Sequence, residues 1–187
     1  MIVIGITGTL GAGKGTIVEY LTQKKGFLHF SVRAFLLDEI RLRGLSSDRD
    51  IMFTLANSLR AEHGSSFVTD QLYLRAVQSN KNCVIESIRT PGEILSLRKS
   101  PCFYLFAIDA KPETRYRRIL LRQSETDAIS FETFLENEKR EMNTSDPNKQ
   151  NLHECIAMAD FIFNNDGKKD ELFLQVESVL SSIPKEQ

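Results

Sequence analysis

Ile2-Val3-Ile4-Gly5-Ile6-Thr7-Gly8-Thr9-Leu10-Gly11-Ala12-Gly13-Lys14-Gly15-Thr16 is the stretch on which the fold turns. An apolar run of strand length enters a glycine-rich turn, a lysine follows, and a helical pattern begins at once. Gly8, Gly13 and Lys14 fit the G-x-x-x-x-G-K spacing of a phosphate-binding loop. Glycines allow successive backbone N–H groups to turn inward and form a nest for phosphate oxygens. The helix that starts near Lys14 adds free N–H groups and the positive end of its dipole. Lys14 itself contributes a mobile point charge suited to β- and γ-phosphates. A bound nucleoside triphosphate is therefore expected, with ATP and Mg²⁺ as cofactors and Gly11, Ala12, Gly13, Lys14, Gly15 and Thr16 forming the cradle.

Working outward, apolar runs of strand length alternate with helix-period segments, the pattern of a parallel sheet covered by helices. Strands are expected at 2–6, 26–30, 82–86, 101–108 and 161–164. Helices are expected after the loop to about 25, then over 31–44, 47–63, 66–79, from Thr90, and over 112–122, 131–143, 151–159 and 168–182. Thr90-Pro91-Gly92-Glu93 combines a cap, a first-position proline and a glutamate three residues after the cap. The expected fold class is α/β, a five-stranded parallel sheet with helices on both faces. One domain should span 1–187, with a helical acceptor-binding insertion at about 31–79 and a short lid at about 122–145. Ligands of such sheets bind at the edge where the carboxyl ends of the strands line up.

Bulk properties narrow the function classes. A chain of 187 residues can bury about 70% of its unfolded surface as one domain. The formal net charge of −1 gives no electrostatic case for a nucleic-acid partner. No apolar run approaches the ~20 residues needed to span a bilayer, and the N-terminal run lacks a basic leader, so no membrane partner and a cytoplasmic location are expected. Cys83, Cys102 and Cys155 form no C-x-x-C and read as small apolar groups in a reducing compartment. His29, His63 and His153 have no metal-ligand spacing.

Phosphoryl transfer is mostly positioning and charge stabilisation, so cations at strand ends are the groups to find. Arg89 follows the third strand by three residues, and its planar fork suits a phosphate, each charged hydrogen bond contributing about 1.5–3 kcal/mol. Glu86 ends that strand where an acid can hold water-bridged Mg²⁺. Arg118 and Arg122 stand at i, i+4 on one helix face, with Arg115 on the same helix, before the polar stretch 123–130 that is the candidate lid. In the insertion, Arg33 at a helix start and Arg60 near a helix end are candidate ligands for an acceptor phosphate. Lys14, Arg89, Arg118 and Arg122 are the candidate catalytic groups.

The loop Gly8 to Thr16 resembles that of the nucleoside monophosphate kinases, adenylate kinase above all, with Gly15 where many phosphate loops place a magnesium-ligating hydroxyl and Thr16 one residue later. That resemblance implies Mg²⁺ held mostly by ATP oxygens and waters, with Thr16 assisting the phosphates. Glu86-Ser87-Ile88-Arg89-Thr90 is similar to the family's D-G-F-P-R-T segment, which implies that Arg89 holds the acceptor phosphate. Arg118 and Arg122 match the arginine pair that leads into the family's lid. The whole chain resembles more closely an archaeal and bacterial branch related to both adenylate kinase and dephospho-CoA kinase. The cues are Ile85 to Arg89, Pro112-Glu113-Thr114-Arg115, Lys139-Arg140-Glu141 and Ala159 to Asn165. By that resemblance Asn164 to Gly167 border the adenine, with Asn164 a nucleotide contact. The family's G-D-x-x-R after the second strand is missing, Ala34 and Leu37 standing at its acid and arginine.

The implied activity is ATP-dependent phosphoryl transfer to a small nucleotide acceptor, a nucleoside or deoxynucleoside monophosphate. Two alternatives stand beside it: phosphorylation of a 3′-hydroxyl in the manner of dephospho-CoA kinase, and a nucleotide-binding ATPase or switch without a small acceptor. A GTP-specific switch is disfavoured, because Asn148-Lys149-Gln150-Asn151 lacks the aspartate of N-K-x-D.

Overall fold

The computed structural model describes residues 1–122, 129–142 and 149–184. Strands β1 (Val3–Gly8), β2 (Leu28–Ser31), β3 (Cys83–Glu86), β4 (Phe103–Asp109) and β5 (Phe161–Asn164) form one parallel sheet in the order β2-β3-β1-β4-β5. Around it, among the described residues, lie α1 (Lys14–Lys25), α2 (Val32–Leu42), α3 (Arg49–His63), α4 (Phe67–Ser79), α5 (Pro91–Leu97), α6 (Pro112–Arg122), α7 (Phe131–Met142), α8 (Leu152–Ala157) and α9 (Lys169–Ser182). The architecture is the five-stranded parallel α/β sheet that the alternation of runs led one to expect.

Strand residues alternate between two cores, as the period of two requires. Val3, Ile85, Phe103 and Leu105 face one side, where α2, α3, α4, α5 and α8 bring Phe35, Leu59, Leu72, Ile94 and Cys155 against them. Ile4, Ile6, Val84, Phe106, Ile108 and Phe163 face the other, against Ile17 and Leu21 of α1 and Leu172 and Val176 of α9. A strand buried on both faces has no polar side to show, which is why β1, β3 and β4 read as nearly continuous apolar runs.

Local chemistry places the boundaries. Gly26, expected both as the stop of the first helix and as the start of the second strand, takes the first part alone: it ends α1 in the left-handed region, its N–H donating to Leu21 O, and β2 begins only at Leu28. Asn151 is the cap of α8 and no part of its body, its side chain accepting from Glu154 N. Thr90 and Glu93 form the reciprocal capping box at the start of α5. The insertion at 31–79 comprises α2, α3 and α4. The lid expected at about 122–145 contains α7; its remaining parts at 123–128 and 143–145, and most of the loop at 144–149, lie outside the described residues.

Candidate phosphate-binding site

β1 delivers the chain to the carboxyl edge of the sheet, where the turn into α1 takes positive φ at Gly8, Gly11 and Gly13. A side chain is excluded at all three on space alone, a Cβ on Gly11 standing 2.6 Å from Arg115 O. A Cβ on Gly8 would stand 2.1 Å from Ile108 O, and one on Gly13 would stand 2.2 Å from Asn165 Nδ2. The loop's carbonyls are engaged by the protein: Gly8 O and Thr9 O each accept from Lys14 Nζ at 2.8 Å, Leu10 O from Arg115 Nη1 at 3.4 Å, and Ala12 O from Asn165 Nδ2 at 2.7 Å. Thr9 Oγ1 donates to Asp109 Oδ1 at 2.7 Å, which ties the loop to the end of β4. The N–H groups of Gly11, Gly13, Lys14 and Gly15, by contrast, find no acceptor among the described residues. Carbonyls anchored and amides left over make an anion nest at a helix N-terminus.

Lys14 is half-buried, and its pKa is pushed down to about 7, first by burial and then by the positive charge of Arg89; Glu86 and Glu141 act in the opposite sense. Neutral carbonyls compensate an ammonium weakly, so a phosphate oxyanion is a better partner for it than those it has. Glu86 lies within reach of this charge and 3.0 Å from His29 Nε2. The hydrogen bond from His29 holds its carboxyl below the usual range, helped by Lys14 and Arg89, so Glu86 stays ionised. Gly13, Thr16, Arg118, Asn165 and Lys169 line a cavity of about 140 Å³ beside the loop. Arg118 Nη1 is buried with no hydrogen-bond partner among the described residues. An orphaned guanidinium nitrogen is costly unless an anion meets it. No group of three His, Cys, Asp or Glu gathers among the described residues to hold a metal, so a divalent cation here would draw its ligands from phosphate oxygens and water, with Thr16 and Glu86 supplying nearby oxygens.

The remaining expected residues divide. Arg89 Nη1 donates to Glu141 Oε2 and to Gln150 Oε1, both at 2.8 Å, while its backbone N–H reaches Glu93. Arg122 closes α6 and is exposed; Arg33 is exposed in the first turn of α2. Arg60 is not presented to an acceptor: it is 4% exposed and lies 3.8 Å from the equally buried Glu93. Its charge is spent on a carboxylate that would otherwise be buried alone. Asn164 is exposed and its carbonyl accepts from Gln175. The cavity residue is Asn165.

Three residues escaped the sequence reading in these roles, and Asn165 entered it only within the range 164–167. Asn165 shares the parity of Phe161 and Phe163, which points it back towards the core side, so strand alternation carried the signal. Arg115 is three residues before Arg118 on the same stripe; it is buried, donates to Ala110 O at 2.7 Å, and stacks on Phe134 at 5.4 Å. Glu138 and Glu141, three apart on one face of α7, meet Arg115 and Arg89 respectively, a pairing no local pattern reveals.

Sheet order, glycine loop and the cations gathered at its edge define a P-loop protein of the kinase type. The model of the AAA domain family matches residues 4–144. A UPF0200 protein of Methanothermobacter thermautotrophicus is 31% identical over 98% of this chain and 91% of its own. The chain belongs to the UPF0200 family, built on that AAA domain. Among solved structures, TT1252 from Thermus thermophilus superposes with a TM-score of 0.66 at 20% identity, covering 98% of each chain. A shikimate kinase from Bacteroides thetaiotaomicron does so at 0.59 and 14%, covering 96% of this chain and 98% of that one. At such identities the likeness is one of fold.

Proposed function

We propose that this protein transfers a phosphoryl group from ATP, with Mg²⁺, to a small acceptor that already carries a phosphate, a nucleoside or deoxynucleoside monophosphate. The observation that carries the reading is the set of donors gathered at one edge of the sheet: loop amides and the buried Arg118 Nη1 with no acceptor among the described residues, and a Lys14 ammonium whose hydrogen bonds go to the neutral carbonyls of Gly8 and Thr9. The amides and Lys14 take the β- and γ-phosphates, and Arg118 meets charge on the group in transit. Mg²⁺ would be held by phosphate oxygens and water beside Thr16 and Glu86, and would supply neutralisation of the phosphate charge. Arg89, close enough to depress the pKa of Lys14, orients the acceptor's phosphate. An oxygen of that phosphate forms the new bond to the γ-phosphorus as the bond to the bridging oxygen breaks and ADP departs.

Glu86 favours an acceptor whose attacking oxygen is already ionised. A carboxyl held below its usual pKa is a poor general base, so an alcohol acceptor would lack one there. An acceptor oxygen that is already ionised needs none. Fold likeness to a shikimate kinase supports phosphoryl transfer as the reaction class. Purified protein incubated with ATP, Mg²⁺ and a panel of ribo- and deoxynucleoside monophosphates, with ADP counted, tests the proposal. ADP release stimulated by one of these acceptors is expected. Turnover with dephospho-CoA alone, or hydrolysis indifferent to any acceptor, overturns it.

A further inference from the structure

Two arginines near the phosphate loop form ion pairs with one helix, and the pairs differ. Arg115 is 4% exposed, its guanidinium sandwiched between the Leu10 and Ala110 carbonyls, Glu138 and the Phe134 ring. Arg89 and Glu141 are 27% and 15% exposed, and their contact runs through one nitrogen, Nη1, which it shares with Gln150. A single shared donor is a weaker grip than a bidentate fork and leaves an anion from solvent able to compete. Glu141 stands in the last turn of α7, where a helix yields most easily. Arg89 and Lys14 repel one another, so the space near them calls for negative charge, and at rest Glu141 supplies it.

We infer that Glu141 is an internal competitor for the acceptor's anion: it occupies Arg89 until a phosphate displaces it, and the end of α7 is released when that happens. The location of the acceptor at Arg89 rests on the proposed function; the competition between Glu141 and an anion does not. The exchange is one ion pair for another, with no bond made or broken. Its effect is that Arg89 stays compensated in the empty protein and that acceptor binding loosens the helix spanning 131–142.

Inorganic phosphate is the probe. Its affinity is measured by calorimetry on the full chain for the wild type, Glu141→Gln, Arg89→Gln and the double variant. Glu141→Gln should tighten phosphate by about three- to fivefold, the worth of a partly exposed ion pair, and the gain should vanish in the Arg89→Gln background. Equal affinities for wild type and Glu141→Gln, or a gain that persists without Arg89, overturn the inference. A second readout needs no variant: amide hydrogen exchange over 131–142 in the wild type should quicken on adding phosphate, and unchanged exchange overturns it as well. Heat from magnesium-loaded AMP-PNP is followed separately. Were that heat missing while the phosphate cycle behaved as expected, the nucleotide reading would fail and the role of Glu141 would stand.

Discussion

The helical insertion and the phosphate loop dispose of their polar groups in opposite ways. In the insertion, α3 brings Arg60 to Glu93, and Glu93 in turn accepts from the N–H groups of Arg89 and Thr90 at the start of α5. Both side chains are inaccessible and both are answered. Around the loop the balance is left open: the Thr9 hydroxyl is tied to the end of β4 and carbonyls are pinned by α6 and by Asn165 just after β5, while loop amides and the buried Arg118 Nη1 have no acceptor among the described residues and the Lys14 ammonium donates to neutral carbonyls. A buried charge that is matched holds a fold together. Donors left short at the edge of a sheet wait for a ligand. The same residue type serves both ends, and only its partner tells which.

The contrast can be broken at either end. Arg60→Ala strands the Glu93 carboxylate and should cost about 3–5 kcal/mol of stability, read as a lower urea midpoint at constant m-value, with nucleotide affinity of the folded protein unchanged. Loss of binding without loss of stability would reverse the assignment. Lys14→Met should show the mirror image. Turnover falls by about 10²–10³-fold, the scale of removing one donor aimed at developing charge, while the melting temperature holds or rises because a desolvated ammonium is gone. Asn165→Ala removes the donor to Ala12 O and should cost about 1–3 kcal/mol, seen in the same urea titration together with weaker nucleotide binding.

Acidity sharpens the comparison further. With Lys14 at about 7 in the free protein against 10.5 for the ordinary group, folding releases a proton between those values, so this residue's contribution to stability improves as pH rises through that window. Polyphosphate raises the pKa again. Binding above pH 7 must then take up a proton, and affinity should fall by at most about tenfold per pH unit. Calorimetry in buffers of different ionisation enthalpy counts the proton; no uptake at pH 8 would remove Lys14 from the phosphate contact. The smallest effect belongs to Asn164→Ala, which should stay within about 0.5 kcal/mol in the urea assay.

Legibility in the sequence followed the range of the interactions. The loop was readable because its determinants are the consecutive residues 2–16, and the strands because burial on both faces makes them apolar throughout. Gly26 reads as a helix stop and as a strand start alike, and its left-handed φ assigns it to the first alone. Arg60 and Arg89 look alike along the chain, each an arginine at an element's end. What separates them is Glu93 on one side and Glu141 on the other, partners 33 and 52 residues away, which no periodicity reports. Asn165 was within reach of strand parity, and the neighbouring Asn164 drew the assignment instead.

The first strand sits in the middle of the sheet, with Val3 opposite Cys83 on one flank and Phe103 on the other. During synthesis, therefore, β1 waits for partners that follow it by 80 residues (Val3 to Cys83) and 100 residues (Val3 to Phe103). The nucleotide cradle cannot take shape until the chain has grown past Asp109, where β4 ends and Thr9 finds its anchor. Until then Ile2-Val3-Ile4 is an unmatched sticky ribbon, a risk of misassembly that grows with the delay of such distant pairings.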